Sequence, residues 1–267
     1  MGGSGAAGGG HARRERHRRV SALILALAAG AVIGLALGAL GGGGSVLAVP
    51  ALIYLLDFTP VGATTASLVI VALTSATALA AHARDGHVRW RTGLLFAAAG
   101  IGPAMLGGAL AARVPAAVLT AAFAVVAGAA ALRMLRFRPG AEGAVTVRPV
   151  RAAGAGAGLG AVTGVLGVGG GFLAVPALVN VLGMRMRNAV GTSLLVITVN
   201  SLAALAARAG TVDGLDWSVV GPFVGAAILG AWDGKRLAGK VSGRTLQRIF
   251  ALMLLAVGAF MLIDSVV

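Results

Sequence analysis

One stretch of 23 residues occurs twice in this chain, and the repeat limits the possible folds more than any other feature. The first copy, at 30–52, reads GAVIGLALGALGGGGSVLAVPAL, and the second, at 156–178, reads GAGLGAVTGVLGVGGGFLAVPAL. At a constant shift of 126 residues, 14 of the 23 positions are identical without a gap. Because self-similarity at a fixed shift is the mark of a repeat, we interpret the chain as two homologous halves.

Each copy reads as an apolar helix that Gly and Pro interrupt. Glycines at every fourth position, such as Gly30 and Gly34 with Gly156 and Gly160, form a small-residue stripe that lets another helix approach closely in lipid. A glycine cluster follows in each copy, although each Gly inside a helix costs about 1 kcal/mol relative to Ala. A short apolar segment with a central Pro then completes the copy. Matching interrupted segments in two halves indicate the binding site of a transporter.

The composition indicates a membrane protein. The chain is 58% hydrophobic and 11% charged, with a mean hydropathy of +0.94. Soluble domains contain about 45–50% apolar and about 25% charged residues. Several charge-free runs could cross a hydrocarbon core of about 30 Å at about 1.5 Å per residue. We therefore predict an all-α polytopic membrane protein with eight to nine transmembrane helices in two halves, each half with a Gly/Pro-interrupted helix or re-entrant element.

The charge pattern divides the chain into four parts. We predict a disordered basic cytoplasmic tail at 1–19, a first transmembrane repeat at 20–135, a polar linker at 136–151 and a second repeat at 152–267. The N-terminal tail and the segments 133–151 and 235–248 are all basic, and the positive-inside rule would place each in the cytoplasm. The halves are inverted if each crosses the membrane an odd number of times and parallel if the number is even. The charges leave both arrangements open.

Backbone N–H groups at the two glycine clusters, together with nearby hydroxyl and amide side chains, could bind an anion. A helix that starts after a glycine turn presents its N–H groups and about half a positive charge, and two such starts meeting near the midplane would need no buried cation. Close helix packing is the alternative for the glycines, and it is favoured for the stripe. Bonds to backbone carbonyls are the alternative for the hydroxyls. The candidate substrate-binding residues are Gly43, Gly44, Ser45, Pro50, Ser67, Gly169, Gly170, Gly171, Pro176, Thr192, Ser193 and Asn200.

Other chemistries find little support in the sequence. The chain has no Cys, and its four His lack metal-ligand spacing. A GxGxxA match at 156–161 lacks both the preceding strand and the following acidic residue of a dinucleotide site. The positive charge lies between apolar runs and forms no aqueous nucleic-acid surface. We expect no enzyme activity, no cofactor and no nucleic-acid partner.

The chain resembles the TauE/SafE sulfite exporter family, within the toluene sulfonate uptake permease superfamily. The resemblance rests on GALGGGGSVLAVPALIYLL in the first half and on GVLGVGGGFLAVPALVNVLGMRMRNAVGTSLLVITVNS in the second. It implies a bacterial inner-membrane transporter with duplicated halves that moves sulfite, sulfonates or related anions, mostly outward. The family motif falls on Gly41, Gly43, Gly44, Pro50, Gly167, Gly169, Gly170, Pro176, Thr192 and Ser193. The first half has Ala66 where the second has Thr192, so the two sites need not act alike.

We therefore predict a secondary transporter or facilitator that exports small organosulfur oxyanions from the cell. Its partners would be the anion and the lipid bilayer, and its N-terminus would be cytoplasmic. The alternatives are a transporter of another small solute or a metal ion, and a non-transporting membrane scaffold subunit. The lack of carboxylate, Cys or clustered His in the apolar runs argues against a metal ion.

Overall fold

The computed structural model describes residues 6–111, 115–136, 148–166, 171–206 and 215–266, and all regular secondary structure within these ranges is helical. The chain order is α1 (Ala6–Leu40), α2 (Gly43–Leu56), α3 (Pro60–Arg84), α4 (Trp90–Ala111), α5 (Ala116–Arg136), α6 (Pro149–Leu166), α7 (Gly171–Asn180), α8 (Met186–Ala206), α9 (Trp217–Lys240) and α10 (Gly243–Val266). The predicted all-α class is confirmed for these residues.

Four of the described helices contain a stretch long and apolar enough to cross a membrane. These stretches are Leu23–Leu40, Gly62–Arg84, Met186–Ala206 and Gly243–Phe260. Two shorter apolar stretches, Leu47–Leu56 in α2 and Gly171–Asn180 in α7, follow the predicted interruptions. The protein is therefore membrane-integral with several apolar helices, whereas the total of eight to nine spans stays a prediction.

The N-terminal tail differs from the expectation of disorder. Helix α1 begins at Ala6 and continues without a break through the basic segment into the apolar run. Ala and Arg are strong helix formers, and an adjoining helix removes the cost of nucleation. Helix α1 thus includes residues 6–19, the segment for which the sequence predicts a disordered tail.

The glycine stripe of α1 packs against α9, and the two helices run in the same direction. A Cβ built on Gly34 would lie 2.6 Å from the Cα of Ala227, and one built on Gly38 would lie 2.6 Å from the Cα of Ala231. Gly230 and Gly234 of α9 approach the α1 backbone equally closely. The predicted packing role of this stripe is confirmed.

The corresponding stripe of α6 packs in the same way against α4. A Cβ on Gly160 would lie 2.7 Å from the Cα of Gly100, and one on Gly164 would lie 2.7 Å from the Cα of Ala104. Helix α1 therefore pairs with a helix from beyond the linker, and α6 pairs with one from before it. The predicted division of the chain into two repeats is not a division into separately packed units.

Most of the basic segments lie at one end of this helical bundle, which we call the basic end. Lys235 forms an ion pair of 2.9 Å with Asp85, and the Arg187 guanidinium donates to the carbonyl oxygen of Gly239 at 3.2 Å. Gln247 donates to the carbonyl oxygen of Met134. Because α4 and α6 run in the same direction, the start of α6 lies at the same end as the start of α4. The basic end therefore gathers the segments 84–91, 133–136, 148–151, 185–187 and 235–248.

The N-terminal basic segment lies at the opposite end of the bundle. Because α1 runs parallel to α9, and α9 reaches the basic end at its C-terminus, α1 begins at the other end. The three basic clusters therefore do not share one end of the bundle: the segments around 133 and 235 lie together, and the N-terminal tail lies apart from them. A charge count along the chain could not show this, because it depends on the direction in which α1 packs.

Candidate functional site

The first predicted interruption is a sharp chain reversal between α1 and α2. Gly41 has a φ of +78°, in the left-handed region that Gly adopts without steric cost. Helix α2 then turns back along α1, since a Cβ on Gly44 would lie 2.5 Å from both the carbonyl oxygen of Ile33 and the Cβ of Leu37. Gly41 and Gly44 are thus needed for the turn and for the contact that follows it.

The reversal meets the start of α7, the short helix after the second glycine cluster. A Cβ on Gly42 would lie 2.6 Å from the Cα of Phe172 and 3.0 Å from the carbonyl carbon of Gly171. Gly41 and Gly42 are buried, as are Gly171 and Phe172. The turn between α1 and α2 and the N-terminus of α7 are therefore in direct backbone contact; we call this contact the junction.

The junction is buried inside the bundle. Phe172 packs against Phe123, in the middle third of α5, with ring centroids 5.1 Å apart. The α8 backbone also approaches it, because a Cβ on Gly41 would lie 3.2 Å from the carbonyl oxygen of Val190 and would contact the hydroxyl of Ser193. Two interrupted segments and the N-terminal half of α8 thus meet in a buried region.

The serines of the two halves form the local bonds that were the alternative to substrate binding. The Ser193 hydroxyl donates to the carbonyl oxygen of Val190 at 2.8 Å. The Ser67 hydroxyl donates to the carbonyl oxygen of Thr64 at the same distance. Thr192 is fully buried, and its hydroxyl oxygen accepts a hydrogen bond from the backbone N–H of Arg89 at 3.1 Å. In this structure these hydroxyls stabilise the helices and the loop after α3.

Several buried polar atoms of the described residues have no hydrogen-bond partner, and two of them belong to side chains that match in the repeat. Among the described residues, the Thr74 hydroxyl oxygen and the Asn200 side-chain oxygen have no hydrogen-bond partner. They occupy matching positions in the repeat, 126 residues apart. Both lie near the contact between α3 and α8, where the hydroxyls of Ser75 and Thr198 form a hydrogen bond of 2.9 Å. A buried unsatisfied polar group costs about 1–3 kcal/mol, so we keep this matched pair among the candidate residues.

Comparison with known proteins assigns the chain to a family. The family model described as sulfite exporter TauE/SafE matches residues 26–261. This protein belongs to the TauE/SafE family. A probable membrane transporter protein of Xylella fastidiosa (strain 9a5c) is 37% identical over 251 residues, covering 91% of this chain and 96% of the relative. A protein of the same description from strain Temecula1 / ATCC 700964 is 35% identical over the same length and coverage. No solved structure matches.

This TauE/SafE protein is accordingly a membrane transporter, as the interrupted repeat predicted. The substrate and the residues that bind it stay predictions. Gly169 and Gly170 lie outside the described residues. For Gly43 and Ser45 only the backbone is described. Pro50 lies half-buried in α2, and Pro176 lies buried in α7.

The structure of this TauE/SafE protein adds Thr74 and Gly42 to the candidate residues. Thr74 was visible in the sequence as the counterpart of Asn200, but its burial without a partner was not. Gly42 has Val168 as its counterpart, so identity between the copies gave no signal for it. Its importance comes from the contact with α7, which only the folded chain shows.

Proposed function

We propose that this protein exports a small organosulfur oxyanion, such as sulfite or a sulfonate, across the bacterial inner membrane as a secondary transporter or facilitator. The observation that supports this most strongly is the junction, where α7 begins against the turn between α1 and α2. The first N–H groups of a helix lack partners within the helix and attract anions. The anion would bind at the N-terminus of α7, close to Ser193.

The same proposal assigns the second polar contact to Thr74 and Asn200. A hydroxyl and an amide can donate hydrogen bonds to an oxyanion while remaining neutral. Neutral donors suit a substrate that must leave again, because no buried countercharge holds it. We propose that the anion passes between the junction and this α3–α8 contact.

We further propose that the two halves have inverted topology. Helices α5 and α10 end the two halves, and their contacts run in opposite directions: Gln247 contacts Met134, whereas Gly258 contacts Ala124. Parallel repeats would direct α5 and α10 the same way. Inverted repeats are a common architecture of secondary transporters.

The orientation that we propose places the basic end in the cytoplasm. Five basic segments meet there, and the positive-inside rule depends on the excess of Lys and Arg near the ends of the membrane-spanning helices. The N-terminus of α1 would then face the opposite side, which replaces the cytoplasmic N-terminus expected from the sequence. The basic end would also concentrate cytoplasmic anions at the entrance.

The apolar runs contain no charged residue that could carry a coupled proton or cation. We therefore propose that the membrane potential drives export. An interior negative by 100 mV favours efflux of one negative charge by about 2.3 kcal/mol. In proteoliposomes loaded with sulfite, thiosulfate or a sulfonate, we expect efflux of at least one of them to accelerate when a potassium gradient with valinomycin makes the interior negative. Dissipating a pH gradient at fixed potential should leave that rate unchanged. Strict dependence on the pH gradient would contradict this mechanism.

Removing the unpartnered polar atoms should separate function from stability. We expect Thr74→Val and Asn200→Leu each to slow transport of the anion by about tenfold, since each removes one hydrogen bond to it. The thermal midpoint in detergent should stay the same or rise, because each substitution removes a buried polar oxygen that has no partner. Thr198→Val is the control: it breaks a satisfied interhelical bond worth about 0.6 kcal/mol and should lower the midpoint slightly. A loss of stability in the first two variants without any loss of transport would assign both residues to packing.

A further inference from the structure

A basic cavity lies between the C-terminal parts of α3 and α9, apart from the junction. Its volume is about 430 Å³, and both helices line it. Its charged lining consists of Arg84, Asp85, Lys235 and Arg236, and its apolar lining includes Ile228 and Trp232. We propose that this cavity binds the phosphate headgroup of an anionic phospholipid, an inference that is independent of the proposed substrate.

Two of the charged groups that line the cavity, both guanidinium groups, remain available to bind a ligand. Lys235 is already used, because its ammonium group pairs with Asp85 at 2.9 Å and donates to the carbonyl oxygen of Ala81 at 2.6 Å. The Lys235 hydrogen bond lowers the pKa of Asp85 and keeps this carboxylate ionised. Three cations against one carboxylate give the lining a net charge of +2.

Arg84 and Arg236 are placed to bind an anion. Within the described part of the chain, Arg84 forms no hydrogen bond or ion pair, and it is exposed at the end of α3. Arg236 has a side chain that is 72% exposed and a loose contact of 3.6 Å to Asp233, which lies outside the lining. Its guanidinium lies over the Trp232 ring, 5.9 Å from the centroid. Guanidinium groups suit phosphate because they can donate two parallel hydrogen bonds.

The surroundings of the cavity favour a lipid over a free anion. On α3, exposed Leu73 precedes Thr77, Ala80 and Arg84 at helical spacing, so these residues share one face. On α9, exposed Leu229 precedes Trp232 and Arg236 in the same manner. Exposed Trp232 suits the membrane–water interface. A headgroup in the cavity would let acyl chains pack along exposed Leu73 and Leu229, whereas a free anion would gain nothing from these apolar side chains.

The test uses Trp232 as a reporter in the full-length protein. The chain contains three Trp, so Trp90→Phe and Trp217→Phe leave only Trp232. In mixed micelles, brominated phosphatidylglycerol should quench Trp232 emission at a mole fraction about tenfold lower than brominated phosphatidylcholine does. Arg84→Gln with Arg236→Gln should remove that preference, because both guanidinium groups that would bind the phosphate are lost. Inorganic phosphate at the same concentration should not relieve the quenching.

The matched control removes two arginines from the same end of the bundle. Arg244 and Arg248 of α10 are exposed there but do not line the cavity, and Arg244→Gln with Arg248→Gln should keep the preference for phosphatidylglycerol. Equal quenching by both lipids, an equal loss in the control variant, or relief by inorganic phosphate would each overturn the proposal. Should the Arg84/Arg236 variant not fold, Arg236→Gln alone changes an exposed side chain and should still weaken the preference. The protein that retains Arg84 and Arg236 should lose its preference for phosphatidylglycerol as the salt concentration increases. A preference that does not weaken would also overturn the proposal.

Discussion

Gly42→Ala should slow export of the anion that the wild-type protein carries by at least about tenfold. Gly42 has φ −77° and ψ −16°, which Ala adopts readily, so the substitution introduces no backbone strain. The added methyl group would instead lie 2.6 Å from the Cα of Phe172. Because no flexible side chain can move out of the way, the start of α7 must shift from the turn between α1 and α2. The anion would then lose the N–H groups at the proposed site.

The measurement is efflux from proteoliposomes at a set potential, with the thermal midpoint of the same preparation. Gly102→Ala is the matched control, since a Cβ there would meet no atom within 4 Å. We expect the control to transport normally. Normal transport by Gly42→Ala would show that the junction has no part in the transport route. A collapse of folding without a transport defect in the surviving folded fraction would assign the junction to packing alone.

Gly160→Ala should destabilise the whole protein, because it separates α6 from α4. The new Cβ would lie 2.7 Å from the Cα of Gly100. Overpacking of this kind costs about 1–3 kcal/mol and sometimes more, and here the contact is backbone against backbone. We expect a markedly lower thermal midpoint and a lower yield of folded protein in detergent, measured by size-exclusion chromatography after heating.

Gly158→Ala provides the control on the same helix, two residues away. A Cβ on Gly158 would meet no atom within 4 Å, and Ala favours helix over Gly by about 1 kcal/mol. The control should therefore match or slightly exceed the wild-type midpoint. If both substitutions lower the midpoint equally, the close approach of α6 and α4 cannot be the reason for the Gly stripe.

The sequence predicted the helices and the place of the first interruption because both follow from local physical chemistry. Apolar runs between charged loops gave the helices, and consecutive glycines between Leu40 and Ser45 marked the turn. A stripe of small residues indicates that another helix packs closely against it, as α9 does at Gly34. It does not state which helix, because any small-residue face is complementary to it.

The details of the candidate site could not be predicted, since they depend on contacts between distant parts of the chain. Ser193 read equally as a donor to substrate or to its own helix, and the structure shows the bond to Val190. The contact of Gly42 with Phe172 depends on how two interrupted segments pack together. The end at which the N-terminal arginines lie depends on the direction of α1 beside α9.

The pairing of α1 with α9 also constrains how the protein is made. Gly30 contacts Phe223, so roughly 200 residues must be synthesised before α1 finds its partner, which takes about 10–40 s at about 5–20 residues per second. During that time a helix with an open glycine face waits in the bilayer or is held by the insertion machinery. Nascent chains stopped before α9 should therefore be the preferred targets of membrane quality-control proteases.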